Sequence, residues 1–420
     1  MILYSMLTAV GQRVNAKDMF EDRMKKKPSN ILRNAIGVVA GAVILPSAAA
    51  EPLEIAGWTI EPSSEVAFVL SPGRSDAGQT DSENVLGELR GEVRVERVLD
   101  NGVEIGVRLG GKVQRDHPAR SGFAGRIGDA AAPLGGLAPR GAFTGLTLGG
   151  EAEDTSLQAQ LETAFIYADG GYGQILLGRD QGIARRFFEG SPSVFRKHRI
   201  ASPALDTSGI SLLLTRNDLT GPAAKISYAS PRILGLRLGA SYTPRANISG
   251  LDRDPDRDVV GVLEPRLESA AEAALNFSHR FRSSGIRLET YGAYGRADLE
   301  VGENRSESGT VEVWSAGSKI TWESLEFGGD WLTTDNGAGR YRAWSTGLKA
   351  ELFGFDWSAE YGQSDDNLSG FDGESWSFGV SHRVLEALTV STGVQSQSLN
   401  SDTMLSQTSL GAVIEMILNF

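Results

Sequence analysis

The run Leu89-Arg90-Gly91-Glu92-Val93-Arg94-Val95-Glu96 decides the fold. Leu89, Gly91, Val93 and Val95 alternate with Arg90, Glu92, Arg94 and Glu96. A period of two is that of a β-strand with one apolar and one polar face, not of a helix. Asp100-Asn101-Gly102 follows, and Asn-Gly tolerates the positive φ that a tight hairpin needs. Val103, Ile105, Val107 and Leu109 then resume the apolar face opposite Glu104, Arg108 and Lys112. Two antiparallel strands joined by a short turn are the reading.

The same pattern recurs to the end of the chain. It places strands near 55–70, 86–98, 103–115, 155–168, 172–179, 222–230, 235–243, 268–281, 286–298, 310–322, 325–334, 341–352, 355–364, 374–383, 388–397 and 408–420, sixteen in all. The first is weakened by Pro62, which lacks a ladder donor. Connections alternate in length: 99–102, 169–171, 231–234, 282–285, 323–324, 353–354 and 384–387 are short, while 71–85, 116–154, 180–221, 244–267, 300–309 and others nearer the C-terminus are longer. Every second connection of an up-and-down antiparallel barrel lies at the same rim, so one rim is trimmed and the other elaborated.

Aromatic placement says which kind of barrel. The apolar face of 314–322 begins and ends with Trp314 and Trp322; Phe355, Trp357 and Tyr361, then Trp376 and Phe378, repeat the arrangement. Rings at strand ends suit a water–lipid boundary. The opposite faces keep Arg108, Glu272, Asp330 and Glu360 in mid-strand beside many Gly and Ser, which points to a wide, hydrated interior. A soluble β core filled with aromatics is the alternative, and those charges argue against it.

Composition narrows function. The 420 residues contain 51 Gly and no Cys, excluding disulfides, Cys-ligated metal and a Cys nucleophile. A net charge of −12 argues against nucleic acid as a partner. Lys25, Lys26, Lys27 and Arg33, the apolar run 35–45 and Ser47-Ala48-Ala49-Ala50 read as a secretory signal over 24–50, cleaved after Ala50. Residues 1–23 place Asp18, Glu21 and Asp22 where a signal carries no acid, so they read as an upstream extension with Met24 as the true start. Residues 51–420 are then the barrel.

The last strand ends in Phe420 behind Leu410, Ala412, Ile414, Met416 and Leu418 on one face, and resembles the terminal strand of bacterial outer-membrane proteins. Tyr172-Gly173-Gln174-Ile175-Leu176-Leu177-Gly178-Arg179 resembles the strand before the inward-folded loop of Gram-negative general porins. Lys225 to Pro231 and Gly235 to Pro244 resemble the hairpin after that loop. The resemblance implies an all-β, 16-stranded antiparallel transmembrane barrel with short periplasmic turns, long outer loops and a third loop folded inside. It also implies a homotrimer in outer-membrane lipid that passes small hydrophilic solutes and ions. In that family the loop usually presents acid to an Arg-rich wall. Here 181–221 holds Arg185, Arg186, Arg196, Lys197, Arg199 and Arg216 against Glu189, Asp206 and Asp218.

Candidate pore-lining residues are Arg90, Arg94, Arg108 and Lys112 by alternation, and Arg179 by resemblance. On the loop they are Arg185, Arg186, Glu189, Arg196 and Arg199. Arg on wall and loop raises local anion concentration and gives weak anion preference; pairing of those cations with wall carboxylates would cancel it. Asp252, Asp254, Asp256 and Asp258 alternate in a way that can hold calcium, although Arg253 and Arg257 interleave as in a self-neutralising run. No other cofactor or metal is expected, and no enzyme. The alternatives are a hydrolase embedded in the barrel, using His279 or His382 beside Ser278 or Ser381, and a surface adhesin without a channel.

Overall fold

The computed structural model describes residues 52–71, 74–75, 85–115, 117, 138–146, 158–246, 262–263, 265–301, 307–401 and 406–420. Among them sixteen antiparallel strands form one closed barrel. They are β1 Trp58–Leu70, β2 Val85–Val98, β3 Glu104–Arg115, β4 Gln158–Gly170, β5 Gly173–Asp180, β6 Ala223–Ala229, β7 Leu236–Ala246 and β8 Arg266–Arg280. The second half comprises β9 Arg287–Val301, β10 Glu307–Trp322, β11 Leu325–Thr334, β12 Tyr341–Leu352, β13 Phe355–Asp366, β14 Phe371–Arg383, β15 Leu388–Ser401 and β16 Gln407–Asn419. Closure is between first and last strands, Glu65 opposite Asn419 through Leu70 opposite Ile414. It extends into reciprocal bonds between Ser64 and Phe420, at 3.0 and 2.9 Å.

The expected strands match in number and order. Pro62 is tolerated because β1 pairs with β16 only from Glu65 onward. Ser64 N–H points to the β16 side, so the missing donor of Pro62, of the same parity, falls beyond the end of that ladder. At the N-terminal end 53–55 is not a continuation of β1. It folds back on Trp58–Ile60 through Ala56 and Gly57 at positive φ. The alternation of link lengths also stops early: the outer links 335–340 and 367–370 are as tight as the inner turns, because β12, β13 and β14 run to the rim.

Outward residues are apolar over the middle of the barrel. Leu177, Ile226, Leu238, Leu275, Ile320, Phe327, Leu348, Phe378 and Ile414 are all exposed, a surface that only lipid satisfies. Tyr172 and Phe353, each 94% exposed, project from inner turns; Trp314, Trp331, Trp344 and Trp376 form a row toward the outer rim. Among the described residues no helix is long and apolar enough to cross a membrane, and the strands do the crossing.

The interior is not uniformly wet. On the side of β7 to β15 the outer half of the lumen is filled by an apolar core. Ile200, Ile210, Leu212, Leu213 and Leu219 of the third outer loop pack there against Leu267, Leu299, Val313, Leu332, Phe371 and Leu399 of the wall. Ala142, Phe143 and Leu146 of the second outer loop complete it.

Candidate constriction site

The third outer loop, 181–222, leaves β5 through one helical turn, α1 Ile183–Arg186, and follows the inner wall rather than rising out of the barrel. Its backbone N–H groups need partners away from bulk water, and wall carboxylates supply them. Glu272 accepts Ala184 N–H at 3.1 Å and Thr220 Oγ1–H at 2.7 Å, so the two ends of the loop share one anchor. Asp330 accepts Ser191 N–H at 2.8 Å and Glu360 accepts the Ser193 hydroxyl. Glu415 accepts three successive amides, Arg196, Lys197 and His198, at 2.8, 2.7 and 2.9 Å.

The mid-strand acids Glu272, Asp330 and Glu360 therefore face inward, as alternation requires, yet each is buried beneath the loop instead of bathing in a hydrated lumen. Wall glycines serve the same fit. A Cβ at Gly347 would run into the Pro192 carbonyl, and one at Gly379 into the Phe195 ring.

The loop packs against β7 to β16, where Arg287, Glu326, Lys349 and Asp356 keep exposed inward charge below it, and β1 to β4 carry a second set. Arg90, Arg94, Arg108 and Lys112 all project inward there, each against carboxylate. Arg90 meets Glu88 and Glu162, both at 3.3 Å, and Lys112 meets Glu162 at 3.1 Å. Arg108 meets Glu92 at 3.2 Å. Arg94 lies among Glu61, Glu96 and Glu104, and Tyr167 donates to Glu96 and Glu104 at 2.8 Å each. Arg90 keeps 40% of its side chain exposed and Arg108 36%, so the ladder is wet though paired.

Arg179 stands apart from that set. Its register partners are Ala164 and the exposed Ala224, the parity of the outward Ile175 and Leu177. Its Nε donates to the Leu161 carbonyl at 2.6 Å. A bulge on β4, where Gly110 faces Thr163 but Gly111 faces Leu161, interrupts the ladder at that point. The bulge also turns Glu162 inward.

The loop cations are held in turn, two of them directly against β1 and β2. Arg185 and Arg216 share Asp218, at 2.6 and 2.7 Å. Both cations hold the Asp218 carboxyl below its ordinary range; burial and the neighbouring Arg185 lower Arg216 to about 10. Arg186 donates to Gln174 at 2.6 Å and lies 3.9 Å from Asp180; burial lowers its pKa. Arg196, 55% exposed, reaches Glu65 at 2.8 Å, and Lys197 bridges Glu65 and Glu88, each at 2.6 Å. Arg199 donates to the Ser191 carbonyl at 2.6 Å. Glu189 faces Lys319 at 3.4 Å, and Lys319 also meets Glu289 at 3.2 Å.

Sequence reasoning did not single out Glu65, Glu162, Glu289, Lys319 or Glu415. Alternation along β1, β9, β10 and β16 would have found four of them; nothing in the pattern announces the bulge that turns Glu162 inward. The Asp252, Asp254, Asp256 and Asp258 run lies outside the described residues, as does 24–50. Among the described residues no three His, Asp or Glu side chains group as metal ligands. His279 lies on the barrel's inner rim beside Phe277 and Phe281, and His382 packs on Phe355 at 4.8 Å with its Nδ1 near the Gly354 carbonyl.

A closed sixteen-stranded barrel whose third loop is pinned inside it meets a family-level test. The family model for Gram-negative porins matches residues 38–403. The chain belongs to the Gram-negative porin family. Like other porins it is an outer-membrane protein. Among solved structures it is similar to an anion-selective porin from Comamonas acidovorans, with TM-score 0.52 and 12% identity over 86% of this chain and all of that one. OmpF of Salmonella typhi, in complex with daunomycin, gives 0.55 and 11% over 88% of this porin and 100% of OmpF. The trimer form of Vibrio cholerae OmpT gives 0.52 and 11%, covering 87% and 100%. At such identities the likeness is one of fold. No curated protein matches this porin in sequence.

Proposed function

We propose that this porin forms a water-filled channel for passive diffusion of small hydrophilic solutes and ions, without catalysis, and that it works as a homotrimer. The observation that carries the reading is the half-exposed charge ladder of β1 to β4 facing the cations of the inward loop. Fixed charges along a hydrated path are what passive permeation uses. The trimer is supported by the similarity to the trimer form of the Vibrio protein.

Weak anion preference is the finer part of the proposal. Most lumen cations are paired, which reduces their reach, but Arg185 and Arg216 share a single carboxylate and leave one positive charge at the loop. Selectivity answers to charge within about 8 Å at physiological salt, so that local surplus outweighs the acidic whole. Glu61, Glu96 and Glu104 around Arg94 oppose it. Osmotic swelling of proteoliposomes in small sugars tests the channel, with swelling that slows as the sugar grows. Absence of swelling contradicts it. A reversal potential of cationic sign in a potassium chloride gradient contradicts the anion preference alone.

A further inference from the structure

The inner turn between β8 and β9 is a basic corner of the barrel. Strand β8 ends in Ser278-His279-Arg280, the turn 281–286 adds Arg282, and β9 opens with Arg287. Arg280 and Arg287 stand opposite each other in the last rung, where like charges repel. Arg287 meets Glu289 at 2.6 Å, but that carboxylate is shared with Lys319 at 3.2 Å. Arg280 and Arg282, both exposed, take part in no ion pair among the described residues. Arg232 of the neighbouring inner turn donates to the Asn276 side chain and the Gly235 carbonyl, each at 2.7 Å, neutral acceptors that leave its charge in place. The turn itself holds Ser283 and Ser284 and no acid.

His279 supplies a second, independent observation. Alternation turns it outward with Phe277 and Phe281, whose ring centroids lie 6.2 and 4.7 Å from its own. Toward the membrane centre the same outward surface continues as exposed Leu275, Leu238 and Ile320. An imidazole N–H held among aromatic rings against lipid needs an acceptor, and His279 has none among the described residues. The other Ser-His-Arg run differs: His382 Nδ1 lies 3.1 Å from the Gly354 carbonyl, and the turn that follows it includes Glu386.

We propose that this corner binds the headgroup of an anionic phospholipid of the membrane's inner leaflet, a phosphodiester carrying no ammonium. Arg282 and Arg280 flank the phosphate; Arg280 has inward parity, but as the last residue of its strand it reaches the rim with its long side chain. His279 donates a ring N–H to a phosphate oxygen, and the acyl chains lie along Phe277, Leu275 and Ile320. Charge complementarity selects this occupant: Arg232, Arg280, Arg282 and Arg287 outnumber Glu289, so a headgroup ending in ammonium is repelled and one ending in hydroxyls is held. The inference rests on the outer-membrane placement and not on permeation.

Native mass spectrometry of the full chain, released from nanodiscs holding equal amounts of phosphatidylglycerol and phosphatidylethanolamine with identical acyl chains, tests it. Retained phosphatidylglycerol is expected in about fivefold excess or more, since each arginine near a lipid surface contributes a factor of about five. The double variant Arg280→Gln/Arg282→Gln brings the ratio close to one. His279→Phe, which keeps the ring stack, at least halves the excess, whereas His382→Phe leaves it unchanged. Equal retention by the wild type, or an excess that survives the double variant or His279→Phe, overturns the proposal. So does an excess abolished by inorganic phosphate but not by chloride of the same ionic strength, which is the behaviour of a site for soluble anions. Resistance of the unheated barrel to unfolding in detergent verifies each variant's fold. No current is read, so a protein that retains the lipid but passes no ions separates this inference from the channel reading.

Discussion

Glu415, near the end of the last strand, accepts the backbone N–H of Lys197, midway along the third outer loop, at 2.7 Å. The same carboxylate holds Arg196 and His198, and Glu415 is 1% exposed. Replacing it by Ala strands three backbone donors, two of them buried. The expected cost is about 2–5 kcal/mol, taken almost entirely by the loop because the barrel ladders are untouched. Hydrogen exchange read at 196–198 is expected to rise by orders of magnitude while β16 stays protected. Unchanged protection of those amides would refute the anchoring role.

The strands were legible in the sequence because alternation with one apolar face is imposed by the lipid at every rung. Leu410, Ala412, Ile414 and Leu418 report it plainly. What covers the other face was not legible. Period two places Glu272 and Asp330 inward but does not distinguish a carboxylate in water from one gripping a loop amide, since either satisfies the charge. The loop's own apolar residues, Ile210, Leu212 and Leu213, make sense only once Leu299, Val313 and Leu332 are known to face them. Glu162 shows the other limit: the bulge on β4 shifts parity locally, and no residue type in the run from Leu161 to Thr163 records it.

A second anchor lies at the outer mouth. Asn336, fully buried, accepts the N–H groups of Phe143 and Thr144 at 2.9 and 3.1 Å, and donates to Thr144 Oγ1 and Asp366, both at 3.0 Å. The second outer loop belongs to β3 and β4, while Asn336 follows β11, across the barrel. Asn336→Ala leaves two donors without an acceptor, at about 1–3 kcal/mol each. Tryptic cleavage after Arg140, 4% exposed in the intact protein, is expected to accelerate at least tenfold. An unaltered rate would show that apolar packing of Phe143 and Leu146 holds the segment by itself.

Charge at the loop sets the sign of selectivity. Asp218→Asn removes the carboxylate shared by Arg185 and Arg216, adding one net positive charge, and reversal potentials are expected to move toward chloride. Burial and the neighbouring Arg185 lower Arg216 from its ordinary value, yet its guanidinium stays charged through neutral and mildly alkaline pH. Anion preference is therefore expected to hold unchanged from pH 7 to 9. A preference that rises with alkali would contradict the assignment.

Close approach of loop to wall at Gly347 makes a steric prediction. Gly347→Val places methyl groups against Pro192 and displaces the loop, with an overpacking cost of about 1–3 kcal/mol. Single-channel conductance is expected to change while the heat needed to unfold the barrel in detergent is not. A variant with native conductance would mean that the loop sits away from this wall.

The most direct measurement is single-channel recording of the purified protein in a planar bilayer, with sugars of graded size added on one side. Discrete conductance steps, partly blocked by small sugars that enter and unaffected by polymers too large to enter, are the result expected of a hydrated passage between the β1 to β4 ladder and the pinned loop. A protein that inserts as a folded barrel and passes no current would contradict it.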